Sequence, residues 1–156
     1  MLKEGDQLPN EDVYEGSVEN KFSIHQLFEN KKGILLGFQG AFTPICSKHH
    51  LPSYIDRLNQ LKEKGFDYVV CVMVNDPFVT SEWEKVYNLP SNIRLIADPR
   101  ATFTKAIGMD QEFSELGLRS KEYAMIIDNN RVKKLLIEPD PKYTSISLAE
   151  SVFTYL

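Results

Sequence analysis

The sequence contains only two cysteines, Cys46 and Cys71, and three histidines, His25, His49 and His50. Two cysteines exclude a disulfide scaffold and a four-cysteine zinc site, and no C-x-x-C pair is present for disulfide exchange. The adjacent pair His49-His50 lacks the helical spacing that turns two imidazoles toward one ion, so a structural metal site is not expected. Basic residues are in deficit: 18 Lys and Arg against 22 Asp and Glu give a net charge of −4. With no basic stripe, a nucleic-acid partner is not expected. No apolar run approaches the ~20 residues that cross a bilayer, so no membrane role is expected. The first residues, MLKEGDQLPNEDV, carry no apolar signal core, and sparse cysteine suits a reducing compartment; a cytoplasmic location is the expectation.

Apolar residues make up 42% of the 156-residue chain, enough for one domain with its own core, expected to span residues 1–156. Ile34–Phe38, Tyr68–Val74 and Ile93–Ala97 are short apolar runs that read as buried strands. Tyr123–Ile127 and Val132–Ile137 flank Asp128-Asn129-Asn130 and read as a hairpin. Leu51, Tyr54, Ile55, Leu58 and Leu61 recur at helical spacing up to Gly65, and Pro52 within that stretch predicts a kink. Ser81–Tyr87, Ala101–Ile107 and Ser147–Leu156 read as further helices. Ser23 is placed to cap a short helix in which His25 is a solvated position. Asp76 is expected to cap or turn the chain after the second strand, and Trp83 to pack. The order predicts a mixed α/β sheet flanked by helices, for which a thioredoxin-type layout is one candidate among small α/β folds.

The chemistry concentrates between the first buried strand and the long helix, in Phe38-Gln39-Gly40-Ala41-Phe42-Thr43-Pro44-Ile45-Cys46. Thr43 suits an N-cap and Pro44 a first helical position, which puts Cys46 third in the helix among unpaired N–H groups. The helix terminus favours the thiolate, the reactive form. A thiol of pKa ~8.5 is about 3% ionised at pH 7, and reaching pKa ~6 takes roughly 3.4 kcal/mol. A helix end supplies ~1–2 kcal/mol, so a second positive element is required. Cys71, in YVVCVMV, reads as a core residue. Without further context Cys46 too reads as a small buried hydrophobe near a capped helix.

The string GAFTPIC with Ser47-Lys48-His49-His50-Leu51-Pro52-Ser53-Tyr54 resembles the active-site segment of type II (subfamily five) peroxiredoxins. Lys64-Gly65, Val74-Asn75-Asp76-Pro77-Phe78-Val79, Glu82-Trp83, Ala97-Asp98-Pro99, Gly117-Leu118-Arg119-Ser120, Tyr123-Ala124-Met125 and Glu138-Pro139 continue the match in order. The resemblance implies a thioredoxin-like fold and a thiol peroxidase in antioxidant defence, with no metal or organic cofactor. It puts Cys46 on the peroxidatic cysteine and Thr43 on the threonine that bonds thiolate and peroxide. Gly40, Phe42, Pro44 and His50 fall on the peroxide pocket. It also implies a homodimer that pairs through the active-site loop and Asp76-Pro77-Phe78. Some members carry a resolving cysteine where this chain has Ile146. The resemblance therefore implies a one-cysteine mechanism, its sulfenic acid reduced by glutathione with glutaredoxin or by thioredoxin.

Two positions depart from the family pattern. Gln39 stands where the family has proline, which implies a more mobile or more polar rim. Glu122 stands where the family has an arginine that donates to thiolate and peroxide. A unit charge ~6 Å away at an effective dielectric of ~20 is worth about 2.8 kcal/mol, so reversing its sign swings a thiol by up to roughly four pKa units. Three arrangements soften this: Arg119 swings in as a surrogate cation and pairs with Glu122, burial protonates Glu122, or Glu122 points outward. A weakened or inactive relative serving as a binding or regulatory module is the alternative to a working peroxidase.

Overall fold

The computed structural model describes residues 1–140 and 144–156. Its main sheet has seven strands in the order β2-β1-β5-β4-β3-β8-β9. The strands are β1 (Asp12–Glu15), β2 (Ser17–Ser23), β3 (Lys32–Phe38), β4 (Tyr68–Met73), β5 (Ile93–Ala97), β8 (Tyr123–Asp128) and β9 (Arg131–Ile137). β3, β4 and β5 run parallel, while β1, β2, β8 and β9 pair antiparallel. A separate ribbon pairs β6 (Asp110–Phe113) with β7 (Gly117–Ser120). The mixed sheet flanked by helices is the thioredoxin-like arrangement.

Alternation along β3 builds two cores. Ile34, Leu36 and Phe38 face one side, where they join Leu51, Tyr54, Leu58, Leu61, Trp83 and Val152. These come from α2 (Leu51–Asp56), α3 (Leu58–Glu63), α4 (Pro77–Tyr87) and α6 (Ala149–Phe153). Leu35 faces the other side, with Ile24, Leu27 and Phe28 of α1 (Ile24–Phe28) and Phe103 of α5 (Thr102–Ala106). Cys71 is fully buried in β4, as its context predicts.

The expected strands all form, and Asn129 and Asn130 take positive φ in the β8–β9 turn. Asp76 caps α4, accepting from the Phe78 and Val79 N–H groups, so this helix starts four residues before the predicted Ser81. The C-terminal helix is shorter than predicted, Ala149–Phe153. His25 is not merely solvated: it is half-buried, and its Nε2 contacts the Leu8 carbonyl. The helix predicted from Leu51 to Leu61 is split at Arg57, whose φ of −111° and ψ of 13° leave the helical region. Its start is also altered. Residues Cys46–His50 form a π-helical turn closed by the Leu51 N–H on the Cys46 carbonyl. Pro52 follows directly and has no N–H to continue a regular ladder, which accounts for the irregularity on its N-terminal side.

Candidate functional site

The site lies where β3 ends and the next helix begins. The β3–β8 register pairs Gly37 with Tyr123, which carries Glu122, the residue before β8, to the loop leaving β3. Gly37 is obligatory for this approach: a Cβ there would fall 1.9 Å from the Tyr123 ring. The loop then turns through Phe42, which takes a left-handed φ of 66°. It is pinned by the Ala41 N–H on Asn75 Oδ1 at 2.9 Å. The Ser47 N–H reaches the Thr43 carbonyl at 3.0 Å, so the helix opens at Pro44 and Cys46 is third, as the capping pattern predicts.

Cys46 is fully buried. Its Sγ donates to Glu122 Oε1 at 2.8 Å. The same oxygen accepts the Gln39 backbone N–H at 2.9 Å. The other oxygen, Oε2, lies 2.6 Å from His50 Nδ1. His50 itself is fully buried between Phe38 and Tyr54, with ring centroids 4.7 and 6.0 Å away, and its Nε2 has no partner among the described residues. Glu122 is thus held by a fully buried thiol, a fully buried imidazole and the amide of half-buried Gln39.

Burial and then the Glu122 charge push the Cys46 thiol well above its ordinary range; the Thr43 hydroxyl and the Gly40 N–H pull the other way and lose. Burial likewise pushes Cys71 far up. The Thr43 hydroxyl donates to the Gly40 carbonyl at 2.6 Å. Pro44 is half-buried at the helix start, and Phe42 is 54% exposed above Trp83, its ring centroid 6.3 Å away.

Of the three arrangements open from sequence, outward-pointing Glu122 is excluded. Pairing of Arg119 with Glu122 is not made either. Arg119 instead donates through Nη1 to the Val74 carbonyl at 3.3 Å and through Nε to the Leu116 carbonyl at 3.1 Å. Its Nη1 lies 2.7 Å from where a Gly40 Cβ would be, so Gly40 makes room for the guanidinium behind the loop. The sequence brings Cys46, Thr43, Gly40 and His50 together as expected. It gives no sign that the Gln39 amide and the Glu122 carboxylate meet. The only available signal was that both departures flank strands that turn out to be neighbours.

The Redoxin family profile matches residues 3–152. The chain belongs to the Redoxin family. A rice (Oryza sativa subsp. japonica) protein, Peroxiredoxin-2C, is 41% identical over 97% of this chain and 96% of its own length. Peroxiredoxin-2D of Arabidopsis thaliana is 37% identical over 86% of this chain and 83% of its own length. Reduced Prx3 from Vibrio vulnificus, solved in complex with hydrogen peroxide, superimposes with a TM-score of 0.93 at 41% identity, each chain covered completely. The Plasmodium falciparum antioxidant protein, a 1-Cys peroxiredoxin, superimposes with a TM-score of 0.90 at 30% identity over 99% of this chain and 98% of that one. This Redoxin chain therefore groups with the peroxiredoxins, thiol peroxidases with an antioxidant role.

Proposed function

We propose that this protein is a one-cysteine peroxiredoxin of the type II group, in which Cys46 reduces hydrogen peroxide and small alkyl hydroperoxides. The observation that carries the reading is the position of Cys46. It is third in a helix that opens from the end of β3, and the Thr43 hydroxyl is held on the Gly40 carbonyl in the loop just before it. Sulfur attacks the distal peroxide oxygen, the O–O bond breaks, and Cys46 becomes a sulfenic acid while the peroxide leaves as water or alcohol. Thr43, Gly40, Phe42 and Pro44 shape the peroxide pocket, and the Gln39–Thr43 loop moves to admit substrate, since the sulfur is buried.

The one-cysteine mechanism rests on the second thiol. Cys71 lies in the middle of a buried strand, and Ile146 is the residue on the C-terminal segment where a resolving cysteine would stand. An external thiol then reduces the sulfenic acid: glutathione with glutaredoxin, or thioredoxin. The same reading makes the protein cytoplasmic and homodimeric, its copies meeting through Phe42 and Phe78, which are 54% and 63% exposed. One contact favours a second reading. A carboxylate on the thiol disfavours thiolate, and a peroxiredoxin-like binding module would keep this fold without turnover.

Peroxide consumption with each reductant system separates them. Cys46→Ser is expected to abolish turnover and Cys71→Ser to retain it. Turnover surviving in Cys46→Ser contradicts the assignment, and no turnover in the parent protein with either reductant favours the module.

A further inference from the structure

The carboxylate that suppresses the thiolate is also the best-placed proton acceptor in the molecule. Oε1 of Glu122 is 2.8 Å from the Cys46 sulfur, within the reach a general base needs. Its orientation is fixed from two sides. The Gln39 N–H holds Oε1 at 2.9 Å, a bond that proline at position 39 has no hydrogen to make. His50 Nδ1 holds Oε2 at 2.6 Å, and Phe38 and Tyr54 fix the imidazole. Other titratable groups near the carboxylate are Cys71 in β4 and Glu138, whose N–H binds the Glu122 carbonyl; Arg119 sits behind Gly40. Among the described residues none of these is hydrogen-bonded to the carboxylate oxygens, and Glu122 Oε1 is the acceptor that the Sγ proton meets.

Resting on the peroxidase reading, we propose that Glu122 is a catalytic residue that shuttles the Cys46 proton, with His50 and the Gln39 amide as its positioning groups. In the step, the Sγ–H proton passes to Glu122 Oε1 as the sulfur electron pair attacks the distal oxygen of the hydroperoxide. The O–O bond breaks heterolytically, and the departing oxygen takes the proton back from Glu122. Sulfur is oxidised by two electrons to the sulfenic acid, the distal oxygen keeping its own hydrogen. The peroxide is reduced to water or alcohol, and Glu122 returns unchanged. The thiol then reacts without first releasing its proton to bulk water, which offsets its reluctance to ionise.

The test is single-turnover oxidation of Cys46 by hydrogen peroxide, followed by sulfenic-acid trapping, in H₂O and D₂O. The parent protein is expected to show a normal solvent isotope effect, a readout that needs no variant. Glu122→Gln, of equal shape, is expected to slow oxidation on the order of 10²-fold and to lose the isotope effect. Glu122→Asp, which keeps a carboxylate, is expected to retain the effect at a reduced rate. Faster oxidation in Glu122→Gln, or a parent rate indifferent to D₂O, overturns the shuttle while leaving Cys46 as the peroxidatic residue. A parent protein oxidised no faster than a free thiol overturns both.

Discussion

Glu122→Gln has a second consequence whose size follows from the geometry. The Cys46 sulfur is 2.8 Å from one carboxylate oxygen, which puts the centre of charge at ~4 Å. At an effective dielectric of ~20 such a pair of charges is worth about 4 kcal/mol. Neutralising Glu122 is therefore expected to lower the Cys46 pKa. It does not restore an ordinary thiol, because burial is the larger cause of the upward shift and remains. The assay is pH-dependent alkylation of Cys46 with Cys71 replaced by serine, read by intact mass. An unchanged titration refutes the placement of an ionised carboxylate on the sulfur. The pairing of this titration with the oxidation rate is informative, since the proton shuttle predicts a lower pKa and a slower reaction together.

Alkaline stability is expected to decline above pH ~8.5, where unfolded thiols ionise but Cys46 and Cys71 keep their protons in the fold; the loss is about 1.4 kcal/mol per pH unit for each. Denaturation midpoints in reductant should fall between pH 8.5 and 10, and less steeply in Cys46→Ser; a flat profile contradicts both upward shifts. Gly37→Ala forces a methyl into the buried Tyr123 ring and should cost at least ~1–3 kcal/mol in urea denaturation, whereas a neutral effect would show that β3 and β8 are spaced differently. Glu138 accepts four hydrogen bonds from Ser145 and Ser147, and the Ser147 carbonyl receives the Tyr54 hydroxyl at 2.6 Å. Glu138→Ala should free this segment, lowering stability by ~2–3 kcal/mol and raising amide exchange in α6; unchanged exchange would sink the tether. Phe78→Glu should shift sedimentation from dimer to monomer, and a parent protein that sediments as a monomer removes the proposed homodimer.

Legibility from sequence followed burial. β3, β4, β5 and β8 are nearly continuous apolar runs and were readable as strands. The β1–β2 hairpin was not, because Val18 to Lys21 all face solvent and show no alternation. The β6–β7 ribbon is short and mostly polar, with the same result. At the site, capping chemistry located Cys46 to the residue, since Thr43, Pro44 and the sulfur lie within one local turn. Glu122 facing the sulfur was one of several arrangements the sequence left open. Its partner Gln39 depends on the β3–β8 register, a long-range pairing that no local pattern encodes, and its partner His50 on a π-helical turn of which Pro52 signals only that the helix is irregular.

The chemistry of Cys46 is read from the mass of the reduced protein after one equivalent of hydrogen peroxide, with the modified residue mapped after dimedone trapping. A single adduct at Cys46, formed faster than on a free thiol and absent in Cys46→Ser, is expected. Trapping at Cys71 instead, or a Cys46 that stays reduced as long as a free thiol does, would contradict it.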